Sequence, residues 1–290
     1  MGIRHDLQRT IYQVLQHNRD GSYATQHDRK HILFKFAEDL VSLGYALRDI
    51  KGLKEKHIVS VIKFWQSKNL SNATIKNRTA VLRHLCARIN KPNIISSNNK
   101  IGIGKRTYIP IKNRALHAPD FSKITDPYIR ISLELQRTFG LRREESLKIK
   151  PWQADKGDHL SLQASWCKGG RSRDIPIRTD EQRYWLDQAK NLIQHKEFSL
   201  IPPQKSYIQQ RYLYDKQVTR AGLKNLHGLR HAYAQRRYKE LTGREAPING
   251  GLKSSNLNTE QKQIDYQARM ILTEELGHGR VQITVNYLGR

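Results

Sequence analysis

The chain has 290 residues, enough for one large domain or two ordinary ones, and 37% of them are hydrophobic. Its 52 Lys and Arg against 26 Asp and Glu give a formal net charge of +26, which indicates a polyanionic partner because a fold gains nothing from such self-repulsion. The chain has only two cysteines, far apart in the sequence, so we expect no disulfide scaffold. It has no run of about 18 apolar residues, and its start lacks an apolar stretch, so we expect neither a membrane span nor a signal peptide.

Apolar residues recur at helical spacing throughout residues 1–90, which we interpret as a helical domain. Leu33, Phe36 and Leu40 lie on one face of a predicted helix, three and four positions apart. The segment KHIVSVIKFWQSK repeats the pattern and ends its stripe at Trp65. The first part of the chain is therefore predicted to be a helical bundle.

The last helix of this part combines an apolar stripe with a basic face. Ser71 is a good N-cap residue, and Ile75, Leu82 and Leu85 form the stripe. A basic face is often only solvated, but in a chain of this net charge we favour contact with a polyanion. The DNA-binding residues that we predict on this helix are Lys76, Arg78 and Arg83.

Residues 91–119 lose the periodicity and are rich in Asn, Ser, Lys, Pro and Gly, so we predict an interdomain linker there. Residues 120–290 are predicted to form a second, mainly helical domain with one β-hairpin. In HLSLQASWCKGGRSRDIPI, apolar residues alternate up to Trp166, and they alternate again at Ile175 and Ile177 after a Lys-Gly-Gly turn. The fold class is thus mainly α with a small β-hairpin.

Five short motifs of the second domain carry side chains suited to one reaction. Gly140 can end a helix in the left-handed conformation, which places Arg142 at a corner with Glu145 three positions later on the same face. This pair is either a surface ion pair or an arginine oriented by a carboxylate. The other candidates are Lys168 at the hairpin tip, His227 and Arg230 in HGLRH, His278 in LGH, and Tyr287.

These residue types fit the cleavage of a phosphodiester. Two guanidinium groups match the non-bridging oxygens of a phosphate and stabilise the charge that grows on them. A phenol can attack once a base accepts its proton, and a leaving oxygen needs an acid, a role that Lys168 can fill. His227 and His278 can donate hydrogen bonds or transfer protons. His227 and His231 have zinc-like spacing, but the glutamate of that motif is missing, so we predict no metal site.

In this order, GLRREE, the lysine hairpin, HGLRH, LGH and the late tyrosine resemble the tyrosine recombinase (phage integrase) family. The resemblance covers about residues 120 to 287, and residues 1–90 resemble the family's core-binding domain more loosely. Glu145 matches the family's acidic residue, and we add the neighbouring Arg143 and Arg171 as DNA-binding candidates. The family's catalytic pattern falls on Arg142, Lys168, His227, Arg230, His278 and Tyr287.

The resemblance implies a site-specific recombinase of a mobile element that forms a 3′-phosphotyrosyl bond with DNA and needs neither metal nor cofactor. It further implies double-stranded recombination sites as partners, with a dimer on each site, a homo-tetramer on two sites, an excisionase or DNA-bending protein as an accessory factor, and the bacterial cytoplasm as location. A type IB topoisomerase and a DNA-binding protein that no longer cleaves are the alternatives.

The chain departs from the family in the segment between Arg230 and His278, which is longer than usual. The stretch TGREAPINGGLKSSNLNTEQKQ is polar and loop-like, so we predict that residues 242–263 are an inserted loop. Because only Leu288, Gly289 and Arg290 follow the tyrosine in the sequence, we also expect contacts between protomers to differ from those of relatives with a longer tail.

Overall fold

The computed structural model describes residues 2–193 and 195–290, and the chain divides into two compact units between Thr107 and Tyr108. The first unit is helical. Over the part of the chain that the structure describes, no helix is both long and apolar enough to cross a membrane. The helices of the first unit are α1 (Ile3–Gln16), α2 (Tyr23–Ser42), α3 (Glu55–Ser67) and α4 (Asn72–Arg88).

The core of the first unit consists of the apolar faces that the helical spacing predicts. Leu33, Phe36 and Leu40 of α2 are fully buried, and Trp65 of α3 packs in the same core. The indole of Trp65 donates a hydrogen bond of 2.8 Å to the buried carboxylate of Asp39, which satisfies both polar groups.

The predicted linker, residues 91–119, differs from what the structure shows, because its first part packs on the first unit. Ile95 and Ile103 are buried in that core. Leu116 lies beyond the unit boundary, and its N–H donates a 2.9 Å hydrogen bond to the carbonyl of Gly228 in the second unit. The composition of this segment is typical of a loop, but Ile95 and Ile103 attach its first part to the core of the first unit.

The second unit is mainly helical with one two-stranded antiparallel sheet, which confirms the predicted fold class. In the sheet, His159 faces Pro176 and Leu162 faces Arg173. The elements in chain order are α5 (Pro127–Phe139), α6 (Arg143–Lys148), α7 (Pro151–Ala154), β1 (His159–Leu162), β2 (Arg173–Pro176), α8 (Asp180–Leu192), α9 (Tyr207–Arg220), α10 (Gly228–Thr242), α11 (Thr259–Glu275) and α12 (Val285–Leu288).

The hairpin is shorter than the alternation predicts, and its connection is longer. Leu160, Leu162 and Ile175 are fully buried as expected, but β1 ends at Leu162. A 3-10 turn, Ala164–Trp166, follows and brings Trp166 into the core without strand pairing. Residues 163–172 therefore form a loop that is longer than the sequence predicts. The predicted Lys-Gly-Gly turn lies within it, where the N–H of Gly170 donates a 3.1 Å hydrogen bond to the carbonyl of Cys167.

The predicted inserted loop, residues 242–263, is in part helical. Its last residues belong to α11, which begins at Thr259. Asn258 caps this helix, and its side chain accepts a 2.8 Å hydrogen bond from the N–H of Gln261. Asn followed three positions later by Gln is a capping-box signal that the polar composition concealed. The rest of the segment contains two 3-10 turns, Pro247–Asn249 and Ser254–Asn256, and fully buried Ala246 anchors it.

A sharp corner joins α5 to α6. Gly140 ends α5 with φ +65°, and a Cβ on it would lie 2.6 Å from Cδ1 of Tyr233 on α10. Two residues later, the N–H of Arg142 donates a 2.7 Å hydrogen bond to Glu145 in the first turn of α6. The close approach of α10 and the left-handed backbone both require glycine here.

A buried ion pair connects α6 with β2. The Glu145 side chain is fully buried and accepts hydrogen bonds of 3.1 and 2.6 Å from the two terminal nitrogens of Arg173. Burial alone would raise the pKa of Glu145, but the hydrogen bonds and charge of Arg173, with the charges of Arg142 and Arg230, lower it to about 2. Glu145 is therefore ionised at neutral pH, and the positive charges of Arg173, Arg142 and Arg230 offset its negative charge.

Gly140→Ala is expected to destabilise the protein more than Gly243→Ala. Both glycines end a helix in the left-handed region, but a Cβ on Gly243 meets nothing within 4 Å. Both variants incur the backbone penalty of about 1–2 kcal/mol, whereas Gly140→Ala adds a clash of about 1–3 kcal/mol with Tyr233. Urea unfolding measures the difference, and equal losses would show that the close approach to Tyr233 has no energetic effect.

Glu145→Gln is expected to lower the free energy of unfolding by about 3–5 kcal/mol at pH 7, because it leaves buried Arg173 without an opposite charge. The folded pKa of about 2 lies below the ordinary value of 4.5, so the carboxylate contributes fully above pH 4.5 and loses its contribution as the pH falls toward 2. Urea unfolding of both proteins should thus give a smaller difference at pH 3 than at pH 7. A difference that is the same at both pH values would contradict this.

Candidate active site

The second unit brings together five of the six side chains that the motifs single out as catalytic. Arg142 directly precedes α6, and His227 directly precedes α10, which carries Arg230 in its first turn. His278 follows α11, and Tyr287 lies on α12. The site is therefore assembled at the ends of helices that are distant in the sequence.

Arg230 lies at the centre of the site and is only 1% exposed. Its guanidinium donates hydrogen bonds to the carbonyl of Gly140, at 2.6 Å, and to the carbonyl of Leu276. Its Nε donates a 3.3 Å hydrogen bond to the hydroxyl oxygen of Tyr287. Burial, together with the nearby charges of Arg142 and Arg173, lowers the pKa of Arg230 to about 10, so it remains charged at neutral pH.

Arg142 lies beside Arg230 and shares a partner with it. One terminal nitrogen of Arg142 donates a 2.5 Å hydrogen bond to Glu145, and the other donates a 3.3 Å hydrogen bond to the carbonyl of Leu276. This carbonyl belongs to the C-terminal end of α11, where the helix dipole is negative. Two guanidinium groups that repel each other thus lie side by side and share the carbonyl of Leu276 as an acceptor.

The phenol of Tyr287 is inside this site. The residue is 5% exposed, and its hydroxyl lies 3.1 Å from Nε2 of His278 in addition to the contact with Arg230. Its ring centroid lies 4.7 Å from that of His231 and 6.2 Å from that of His227. The hydroxyl is therefore within hydrogen-bond distance of a cation and an imidazole at the same time.

His278 is placed by a second left-handed glycine. Gly277 has φ +61°, and a Cβ on it would lie 3.0 Å from Cδ of Arg173. The N–H of His278 then donates a 2.8 Å hydrogen bond to the carbonyl of Thr273. Burial, followed by the charges of Arg230 and Arg142, lowers the pKa of His278 to about 3. The imidazole is thus neutral at neutral pH.

The remaining predicted catalytic residues are less closely engaged. His227 is exposed at the start of α10, with its ring 5.5 Å from that of His231. Lys168 is exposed on the loop of residues 163–172. Over residues 2–193 and 195–290, no hydrogen bond, ion pair or ring contact joins Lys168 to the other five catalytic candidates, so this loop does not bring its lysine to the phenol.

The predicted DNA-binding residues have different surroundings. The guanidinium of Arg83 is hydrogen-bonded within the first unit. It donates to the carbonyl of Ser96, at 2.7 Å, and to the side chain of Asn98, at 3.0 Å. The guanidinium of Arg83 thus fixes a loop of the first unit, and its role in DNA binding stays a prediction. Of the others, Arg78 lies over the ring of Trp65, Arg143 pairs with Asp215 at 2.7 Å, Arg171 packs against Gly279, and Lys76 is half-buried.

Two residues of the site were missed by sequence reasoning. Arg173 contacts Glu145 and also donates a 2.8 Å hydrogen bond to the carbonyl of Glu275, so it braces the end of α11. Its position two residues before buried Ile175 was a usable signal, because alternate residues of a strand point to the same face. His231 is buried against Tyr287, and burial lowers its pKa to about 4. Its spacing of four positions from His227, which places both residues on one helical face, was a usable signal.

Family models match two consecutive parts of the chain. The model "Phage integrase, N-terminal" matches residues 5–95, and the model "Integrase" matches residues 106–236. Together they cover most of the chain, one in each unit. No curated protein sequence matches the chain.

Solved structures of similar fold include DNA-bound recombinases. The XerH site-specific recombinase bound to difH is 19% identical, with a TM-score of 0.59 over 97% of this chain and 80% of that one. A lambda integrase(75-356) dimer bound to a COC′ core site is 17% identical, with a TM-score of 0.60 over 100% and 96%. The Tn1549 transposon integrase with circular intermediate DNA is 14% identical, with a TM-score of 0.55 over 98% and 95%. The chain belongs to the phage integrase family of tyrosine recombinases.

Proposed function

We propose that the protein is a site-specific DNA recombinase of a mobile element, which cleaves and rejoins DNA strands through a 3′-phosphotyrosyl intermediate. The observation that carries the proposal is the surroundings of the Tyr287 hydroxyl. It lies within hydrogen-bond distance of Arg230 and His278, and Arg142 shares the Leu276 carbonyl with Arg230. A nucleophile, a neutral imidazole and two phosphate-binding groups are thus contained in one pocket.

Arg142 and Arg230 bind the scissile phosphate in this proposal. Their hydrogen bonds to Glu145, Gly140 and Leu276 fix both guanidinium groups before DNA arrives. Each terminal nitrogen carries a second hydrogen that can be donated to a non-bridging oxygen. Such fixed donors are each typically worth about 2.7–4 kcal/mol when negative charge grows on the oxygens during attack.

The phenol loses its proton to His278 in this proposal. Because Nε of Arg230 donates to the phenol oxygen, the hydroxyl hydrogen is free to point toward Nε2 of His278, 3.1 Å away. Without DNA, burial and the guanidinium charges hold the pKa of His278 low. A bound phosphate offsets those charges, so it raises the basicity of the imidazole when a proton has to be accepted.

Strand transfer exchanges one phosphate ester bond for another, so the number of such bonds does not change. The Tyr287 oxygen forms a bond to phosphorus while the bond to the 5′ oxygen breaks, and Lys168 protonates the leaving 5′ oxygen. The 5′ hydroxyl of a second strand then attacks the phosphorus and gives its proton to Lys168, while the bond to the Tyr287 oxygen breaks and the phenol takes back its proton from His278. Because Lys168 is exposed on its loop, it has to reach the phosphate when DNA is bound.

Assembly on DNA forms a further part of the proposal. Lambda integrase has been seen as a dimer on a COC′ core site and as a tetramer on a Holliday junction. By analogy we propose two protomers of this protein on each site and four on two sites, with an excisionase or DNA-bending protein as an accessory factor. The net charge of +26 fits such extended contact with phosphates in the cytoplasm of a bacterium.

The test of this function is covalent trapping on DNA. The probe is a nicked duplex with a site selected from random-sequence DNA by binding to this protein, so that the short 5′-hydroxyl fragment diffuses away after cleavage. The wild-type protein should accumulate as a covalent protein–DNA band, and Tyr287→Phe, which keeps the ring but lacks the nucleophile, should give none. A band from the Phe variant would refute the assignment of the nucleophile, and no band from wild type would refute the function. Supercoil relaxation without strand exchange between two sites would favour a topoisomerase instead.

Lys168→Ala is expected to slow cleavage of ordinary DNA by about 10²–10⁴-fold, the usual contribution of a general acid. A substrate with sulfur in place of the bridging 5′ oxygen should restore the rate, because a thiolate leaves without protonation. Single-turnover cleavage of both substrates by both proteins measures this. If the sulfur substrate is cleaved as slowly as ordinary DNA, Lys168 does not act as the acid.

A further inference from the structure

The main chain around Tyr287 is held from two sides. The amide of Gln235 on α10 donates a 3.0 Å hydrogen bond to the carbonyl of Tyr287. Arg269 on α11 donates a 3.3 Å hydrogen bond to the carbonyl of Gly289. The short helix α12 leaves its last carbonyls without partners of its own, so these two donors satisfy groups that would otherwise be unpaired.

The amide of Gln235 is itself fixed. Gln235 is 2% exposed, and it exchanges two hydrogen bonds with the amide of Asn113, at 2.8 and 3.2 Å. Asn113 also donates a 3.4 Å hydrogen bond to the side chain of Asn249. The donor that holds the Tyr287 carbonyl is therefore oriented by residues from two other segments of the second unit.

The segment between α10 and α11 packs against the C-terminal end of α12. Gly289 has φ +76°, and a Cβ on it would lie 2.9 Å from the backbone nitrogen of Ile248. Ile248 and Asn249 belong to the same 3-10 turn, Pro247–Asn249. The segment predicted as an inserted loop thus contacts Gly289, the residue that follows helix α12 and its Tyr287. Asn249 of the same segment also contacts Asn113, the partner of Gln235.

We propose that Gln235 is a positioning residue for Tyr287, and that the Gln235–Asn113 pair holds the phenol in the pocket of its own chain. This inference rests on the proposed function. Arg230 and Gln235 lie five positions apart on α10, so a single rigid helix donates to the Tyr287 hydroxyl and to the Tyr287 carbonyl. The helix thereby sets the distance between the nucleophile and a phosphate-binding arginine.

The test is Gln235→Met, which keeps the length and volume of the side chain but removes the donor. At saturating nicked duplex, single-turnover formation of the covalent complex should slow by about 10–100-fold, since a displacement of about 1 Å can cost that much. The dissociation constant for the same duplex should stay within about twofold, because many other phosphate contacts supply the affinity. Asn113→Ala should slow wild type by a smaller factor and have no further effect in the Gln235→Met background.

Gln182→Met is the matched control. Gln182 is also buried, at 3% exposure, and also donates to a main-chain carbonyl, that of Thr138, at 3.1 Å. It should lower Tm as Gln235→Met does and leave cleavage within about twofold of wild type, measured well below either Tm. If both variants lower Tm but only Gln235→Met slows cleavage, the effect of Gln235 on the rate is one of positioning.

Two outcomes would overturn the inference. Gln235→Met could cleave at the wild-type rate, or both Met variants could slow cleavage in proportion to their loss of Tm. In both cases the proposed function still stands, provided that wild type forms the covalent complex and Tyr287→Phe does not. If wild type itself forms none, the proposed function fails, and the inference fails with it.

Discussion

The site depends on one carbonyl, that of Leu276, which accepts hydrogen bonds from both Arg142 and Arg230. Two guanidinium groups repel each other, so their proximity requires compensation. The negative end of the α11 dipole supplies part of it, and the ionised carboxylate of Glu145 supplies more. Arg173 donates to Glu145 and to the carbonyl of Glu275, so it ties this carboxylate to the same helix end. If the end of α11 shifted, both phosphate-binding groups would shift with it.

The geometry explains why the site lies at helix termini. Carbonyls inside a helix are paired, whereas those in the last turn are free to accept guanidinium groups. Gly140 and Gly277 both take the left-handed conformation directly after such a turn. Each thereby exposes a carbonyl, its own or that of Leu276, to Arg230. The glycines of the two motifs are thus part of the arginine-binding geometry as well as the ends of helices.

Local spacing in the sequence encodes the helical faces and the motifs, whereas tertiary packing decides contacts that no local pattern reveals. Helical faces such as Leu33, Phe36 and Leu40 are fixed by periodicity, and the order of the motifs led to the family. The Gln235–Asn113 pair could not be foreseen, because it joins side chains far apart in sequence that have no periodic relation. The hairpin loop was missed because Trp166 reaches the core from a 3-10 turn, which alternation alone cannot distinguish from a strand.

The pocket without DNA holds an unbalanced charge, and this imbalance bears on its chemistry. Arg142, Arg173 and Arg230 surround a single carboxylate, Glu145, so positive charge remains beside the phenol. The same charge, added to burial, makes His278 a poor base in the free protein. A phosphodiester supplies the missing negative charge and at the same time presents the reacting atom. In the proposed function, substrate binding and activation of the nucleophile are therefore one electrostatic event, because the group that balances the arginines is the group to be attacked.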